Sequence, residues 1–177
     1  KDVSNQHQRI CKIDTDNSKI FETLTDHIIQ SNFDHQKQYD LLRLQQRIQE
    51  ISSLIIATSQ TVVLLTNIKT TIPNELHHLL KSLVGLVVES HKTFIQAIQK
   101  YQESRKSVIQ LIHQAEEEEV MVDNKRIECL EVLYSLANNE QLKLGDFKVI
   151  ERMIEYLEDI SDAIKSATTS LDWLLLG

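Results

Sequence analysis

Along this chain apolar residues recur at alternating steps of three and four with charged and amide residues between them, which is the period of amphipathic helices and not of strands. Before Pro73 the pattern predicts a helix over roughly 5–30, a polar link through Ser31, Asn32 and Asp34, and a long helix over about 36–68. Pro73 is the clearest punctuation, because proline suits the first turn of a helix and holds the residue before it extended. A third helix therefore starts near 74 and, by the spacing of Leu76, Leu80, Leu83, Val87, Phe94, Ile98 and Tyr101, runs to about 102. Glu103, Ser104 and Arg105 break it, a fourth helix occupies about 106–136, and the residues from Ala137 to Gly145 form a turn. Asp146 is the candidate N-cap of a last helix reaching about Leu175. Long amphipathic helices with short links bury their stripes as antiparallel bundle neighbours.

The last helix repeats the one before Pro73. At an offset of 109 residues, which lays Ile48 on Leu157, the stripe Leu41, Leu44, Ile48, Ile51, Ile55, Thr58, Val62, Leu65 falls on Ile150, Met153, Leu157, Ile160, Ile164, Ala167, Leu171, Leu174. An Ile-Ser pair, Ile51-Ser52 and Ile160-Ser161, is shared in register. A weaker match at 107 places Ile13, Asp16 and Ile20 on Val120, Asp123 and Ile127. The chain thus reads as one domain over 1–177, with repeat 1 at about 1–72 and repeat 2 at about 73–177. Repeat 2 has a helix ahead of its matched pair and repeat 1 does not, so the expected unit is three helices, with the first helix of repeat 1 apparently missing.

Composition narrows the class. The chain has 177 residues, 3 glycines, 1 proline and 5% aromatic residues, too few turn and cross-strand residues for an all-β fold. A formal net charge of −7 argues against nucleic acid or an anionic lipid surface as partner. No apolar run stands out as a membrane span, and the two cysteines, Cys11 and Cys129, make no framework, so the expectation is a cytoplasmic chain with two buried, inert thiols. The apolar end from Trp173 to Leu176 suits core packing or a dimer contact.

The chemistry-bearing pattern is acidic. Glu119 and Asp123 are four apart on the fourth helix, and Glu158 and Asp162 four apart on the fifth, so each pair projects from one face and the two can converge between antiparallel helices. Glu116, Glu155 and Asp159 extend the set. Clustered carboxylates repel one another unless a cation compensates them, which suits a hard or borderline metal. The plainer reading of the run Glu116 to Glu119 is a solvated helix face. At the offsets above the repeat 1 counterparts are Lys12 and Asp16, then Gln49 and Ser53, so the acidic set has decayed there. Glu75-x-x-His78, beside Glu89 and His91, has the spacing of di-iron carboxylate bundles but lacks the second copy such a centre needs. There is no nucleophile elbow and no phosphate-cradling glycine loop.

Glu119-x-x-x-Asp123 and Glu158-x-x-x-Asp162 on paired helices of a duplicated three-helix arrangement resemble the PhoU-like family of phosphate-uptake regulators. The stretch from Leu157 to Ile164 is similar to the E-D-x-x-D segment of the branch found beside Pit-type phosphate permeases. The resemblance implies an all-α, cytoplasmic, often dimeric regulator, peripheral at the inner face of the membrane, that acts through a phosphate permease or a phosphate-signalling kinase and catalyses no reaction. It also implies a multinuclear metal cluster, commonly iron, which here falls on Glu119, Asp123, Glu158 and Asp162. The rival readings are a metal-dependent carboxylate-bundle enzyme, whose ligands line an internal cavity, and a ligand-free helical adaptor.

Overall fold

The computed structural model describes residues 2–176, with every side chain among them except that of Leu176. Five helices follow one another: α1 (Asp2–Gln30), α2 (His35–Asn67), α3 (Asn74–Lys100), α4 (Arg105–Asn138) and α5 (Leu144–Leu176). Among the described residues there is no strand. The boundaries have local causes. Asp34 caps α2 by accepting from the Lys37 amide at 2.9 Å, which holds its carboxyl below the usual range, and Ser104 caps α4 through the Ser107 amide at 3.3 Å. Pro73 stands at the N-cap of α3 with φ −56° and ψ 145°, compatible with its fixed ring and leaving no amide to satisfy. Asp146 is not the cap of α5: the helix begins two residues earlier at Leu144, and the Asp146 carboxylate, in the first turn, accepts from the Thr70 hydroxyl at 2.6 Å.

Packing makes α5 the centre. It lies against α2, α3 and α4, while α3 also packs on α4, and among the described residues α1 packs on α2 alone. α2 and α5 are antiparallel: Thr70, after α2, meets Asp146 at the start of α5, and Arg43 stacks its guanidinium 3.9 Å from the Trp173 ring centroid at the far end. Trp173 is therefore a boundary residue and not core. α3 runs parallel to α5, with the Tyr101 hydroxyl bonded to the Leu174 carbonyl at 2.8 Å where both helices end.

Most of the core comes from α3, α4 and α5, with Ile51 and Leu65 added from α2. Phe94, Leu76, Leu83, Val108, Val122, Cys129, Leu133, Ile150, Ile154 and Ile164 are essentially without solvent exposure. Burial pushes the Cys129 thiol up to about 11, so it is inert as expected; Cys11 is only half-buried and sits with its Sγ 3.5 Å from His7 Nε2, because α1 has a neighbour on one side only. The contacts also correct the match of α1 to α4. An offset of 109 carries His7–Ser59 and Phe21–Gln45 into the antiparallel register of Glu119–Lys165 and Arg126–Glu158, so one offset relates both helices of the two pairs. The counterparts of Glu119 and Asp123 are then Ile10 and Asp14, on the half-buried side of α1; Lys12 and Asp16 are exposed.

α2 is more apolar on average than its short unbroken runs suggest. By length and composition α2 is apolar enough to cross a membrane, with an 18-residue stretch of mean hydropathy 1.4. Serines, threonines and a glutamine hide this from a search for unbroken apolar runs. In the bundle α2 lies between α1 and α5, yet only 11% of that stretch is buried.

Candidate functional site

The acidic residues of α4 and α5 are brought together, but with cations among them. Glu119 is buried and its Oε1 accepts from Lys165 Nζ at 2.6 Å, while Arg126 Nε lies 3.8 Å from Glu158 Oε2. The two contacts are reciprocal because each helix carries the same text, an acid, a second acid four residues on, and a cation three residues after that. On α4 these are Glu119, Asp123 and Arg126; on α5 they are Glu158, Asp162 and Lys165. Running the helices antiparallel sets the first acid of each against the cation of the other.

Two acids stay under strain in this array. Partial burial, then the charges of Glu119 and Asp123 and a hydrogen bond with Glu119, hold the Asp162 carboxyl above its ordinary value, against the opposing pull of Lys165. Glu158 is raised by burial, with Arg126 opposing and Asp162, Asp159 and Asp123 adding to the rise. Its hydrogen bond to Glu119 lifts Lys165 in turn. The outer members predicted from sequence are engaged elsewhere: Glu116 pairs with His113 at 3.2 Å and Glu155 with Arg152 at 3.0 Å, each on its own helix, while Asp159 acts on Glu158 through space.

Among the described residues no three His, Cys, Asp or Glu side chains are assembled as metal ligands. The donor set nevertheless has the chemistry for a hard or borderline cation, since four carboxylates face one seam and two of them bind their protons more tightly than free acids. Such a cation would take the place that the Lys165 ammonium holds against Glu119. The di-iron pattern on α3 is not assembled: Glu75 and His78 are exposed at its start and Glu89 pairs with Lys92 at 2.7 Å.

Lys165 and Arg126 are the residues that sequence reasoning missed. The signal was present in the third member of each repeated triplet, a cation on the same helical face as the two acids. Thr93 was missed as well; its hydroxyl, buried between α3 and α4, donates to Glu118 at 2.9 Å and accepts from Gln114. That network turns Glu118 toward α3 and away from the α5 seam.

Compared with solved structures, the whole helical arrangement recurs in a protein of Shewanella oneidensis MR-1 described as PhoU-like, with a TM-score of 0.84 over 99% of this chain and 84% of the other. The chain has the PhoU-like fold. A second structure from the same bacterium, described as a PhoU-like phosphate regulatory protein, matches at a TM-score of 0.82 over 99% of this chain and 81% of that one. Sequence identity is 16% to each, so the likeness is one of PhoU-like architecture. No family model and no curated protein matches the sequence.

Proposed function

We propose that this chain regulates inorganic phosphate transport by protein contact, at the inner face of the membrane, with a phosphate transporter or the kinase that signals for it, and that the acidic seam of α4 and α5 is a cation-dependent platform for that contact. The observation that carries the reading is the duplicated acid–acid–cation triplet, set reciprocally across two antiparallel helices of a fold shared with a described phosphate regulator. Glu119, Asp123, Glu158 and Asp162 would hold the cation, with Asp159 beside them. When bound, the cation supplies a reversal of local charge, turning an acidic seam into one that attracts phosphate or an acidic partner surface. The protein's own part is to present the four carboxylates from two rigid helices, to compensate them with Lys165 and Arg126 when the cation is absent, and to release Lys165 when it binds. Asp162 is exposed, and the groove of about 510 Å³ between α2 and α3 is lined by none of the four acids. That placement favours a surface platform over an enzyme with ligands around an internal cavity.

Elemental analysis of protein purified without chelator, beside a variant with Glu119, Asp123, Glu158 and Asp162 all changed to alanine, tests the platform. Stoichiometric iron or another transition metal that the variant lacks is the expected result. If neither protein carries metal, and added iron, manganese or zinc leaves the wild-type melting temperature unchanged, the platform is wrong and the chain is a plain helical adaptor.

A further inference from the structure

α4 keeps an apolar row on its outside. Val120, Ile127 and Tyr134 recur every seven residues, opposite the buried Val122, Cys129 and Leu133, and are 54%, 50% and 43% exposed. The row spans about 21 Å of helix. At the offset of 109 its counterparts on α1 are Cys11, Ser18 and Thr25, so the repeat does not require large apolar residues there. Nor is this a face that a repeat 1 counterpart of α3 would cover. α3 packs on α4 and α5 and, among the described residues, not on α1, so by the same relation its counterpart packs on α1 and α2 and leaves α4 open.

The intervals of the row are acidic. Glu117, Asp123 and Glu131 each stand three or four residues from one of its members, on the same side of the helix, and among the described residues none of the three is in an ion pair. The cations within the span of the row are turned elsewhere, Lys125 to Glu128 and Arg126 to Glu158. α4 and α5 carry seven acids each against four and three bases, which accounts for the chain's whole net charge of −7. A second copy of the chain does not suit this face: antiparallel about Ile127 it sets Glu131 opposite Asp123, and parallel it sets each acid opposite itself. An anionic lipid surface is repelled in the same way. What complements an apolar row at heptad spacing with acids in its intervals is a helix of the same spacing with bases in its own.

We propose that the outward face of α4 is the docking site of a basic amphipathic helix of a partner protein, whose apolar residues meet Val120, Ile127 and Tyr134 and whose lysines or arginines pair with Glu117 and Glu131. Charge steers such a helix to the face, and the apolar row holds it there. Tyr134 is already set for the contact. Its hydroxyl donates to Glu151 at 3.1 Å and its ring lies 5.6 Å from that of Phe147, so it has little rotamer freedom left to lose on binding. The inference rests on the reading of the chain as a protein that acts by contact, and it needs no metal. Glu117 and Glu131 are not among the four acids of the seam, and Asp123 is common to both.

The probe is a synthetic peptide of three Leu-Lys-Lys-Leu-Leu-Lys-Leu heptads, with a control peptide in which every lysine is glutamate. Titrated into the 177-residue protein at low salt with a chelator present, the basic peptide is expected to bind one to one and the acidic control not at all. Val120→Ser with Ile127→Ser is expected to weaken binding about tenfold, and Glu117→Gln with Glu131→Gln about fivefold with a flatter dependence on salt. All four positions are exposed, so circular dichroism and melting of both variants are expected to stay near wild type. Overturning results are no saturable binding of the basic peptide, an effect of only one of the two pairs of substitutions or of neither, sedimentation of the wild type with anionic vesicles that the serine variant abolishes, or a concentration-dependent dimer that competes with the peptide and is lost in the serine variant. Both variants keep Glu119, Asp123, Glu158 and Asp162, so their metal content is expected to equal that of wild type. Failure of the peptide to bind therefore leaves the acidic platform standing, and a protein free of metal leaves this site standing.

Discussion

The two repeats share a register and differ in what they do with it. In repeat 2 the position of Glu119 faces Lys165 and that of Arg126 faces Glu158; at the same positions repeat 1 has Ile10 and Ile56, then Asn17 and Gln49. One seam is an ionic array, the other an apolar pair followed by a neutral polar pair. The backs of the first helices diverge in the same way: Val122, Cys129 and Leu133 of α4 are fully buried, while their counterparts Ile13, Ile20 and Leu24 of α1 are 58%, 63% and 42% exposed. Each helix pair is built alike, and what separates them is the third helix, because α3 covers α4 and α5 where α1 and α2 lie open. The burial of a residue here is set by which helices flank it, and not by its own hydrophobicity.

The most direct way to break this comparison is to truncate matched leucines. Leu133→Ala removes a side chain with no exposure in the interior of repeat 2 and is expected to cost about 3 kcal/mol, the range for leucine cavities in close-packed cores. Leu24→Ala, at the matching position of α1, is expected to cost under about 1 kcal/mol, because most of its transfer gain is never realised. Urea unfolding of both variants measures the difference. Equal costs would show that α1 is covered in solution and that the repeats are energetically alike.

A smaller effect tests the ionic seam. Lys165→Met leaves Glu119 buried beside Asp162 with no cation and is expected to lose about 1–2 kcal/mol at neutral pH, a value reduced from that of a fully buried pair because Lys165 is 41% exposed. Replacing both partners by isoleucine, as at Ile10 and Ile56 of repeat 1, is expected to restore wild-type stability or better. The pH dependence has a definite sign. The carboxyls of Asp162 and Glu158 are raised in the folded state above their ordinary 3.8 and 4.5, so the native protein binds more protons than the unfolded chain in the window above those values. Their ionised forms oppose folding, and the seam's contribution grows as pH falls from above toward those ordinary values. In a variant with Asp162→Asn and Glu158→Gln that part of the pH slope in the urea midpoint is expected to vanish. A slope unchanged from wild type would mean that the two acids titrate as they do in the unfolded chain.

The helices and the repeat were legible because they rest on local periodicity: Pro73, Asp34 and Ser104 mark boundaries through backbone chemistry that needs no tertiary context. The acidic pairs were legible for the same reason, each lying on one turn of one helix. Hidden were the contributions that depend on a neighbour. Lys165 and Arg126 acquire their meaning only when α4 and α5 run antiparallel, and the match of α1 to α4 slipped by two residues because exposed Ile13 and Ile20 imitate the exposed Val120 and Ile127 as well as they do the buried Val122 and Cys129. Apolarity alone does not say which side of a helix is covered. The apolar content of α2 escaped notice because hydroxyl side chains there bond back to their own helix, as Thr58 does to Leu54 and Thr66 to Val62, and so read as polar in sequence while placing little demand on water.

The shared Ile-Ser pair gives the finest discrimination. Ser161 follows Ile160 on α5, is 1% exposed, and its hydroxyl has no hydrogen-bond partner; Ser52, at the same position of α2, is half-buried and within reach of water. A buried hydroxyl without a partner keeps its desolvation cost and returns nothing, so Ser161→Ala is expected to stabilise the protein by about 1 kcal/mol. Ser52→Ala is expected to stay within about 0.5 kcal/mol of wild type, the usual range for a substitution away from the core. The two melting curves decide between a serine kept for packing register and one kept for a bond: if Ser161→Ala destabilises, its hydroxyl is bonded in solution, and the identical text of the two repeats reflects a shared polar contact that the closed repeat retains.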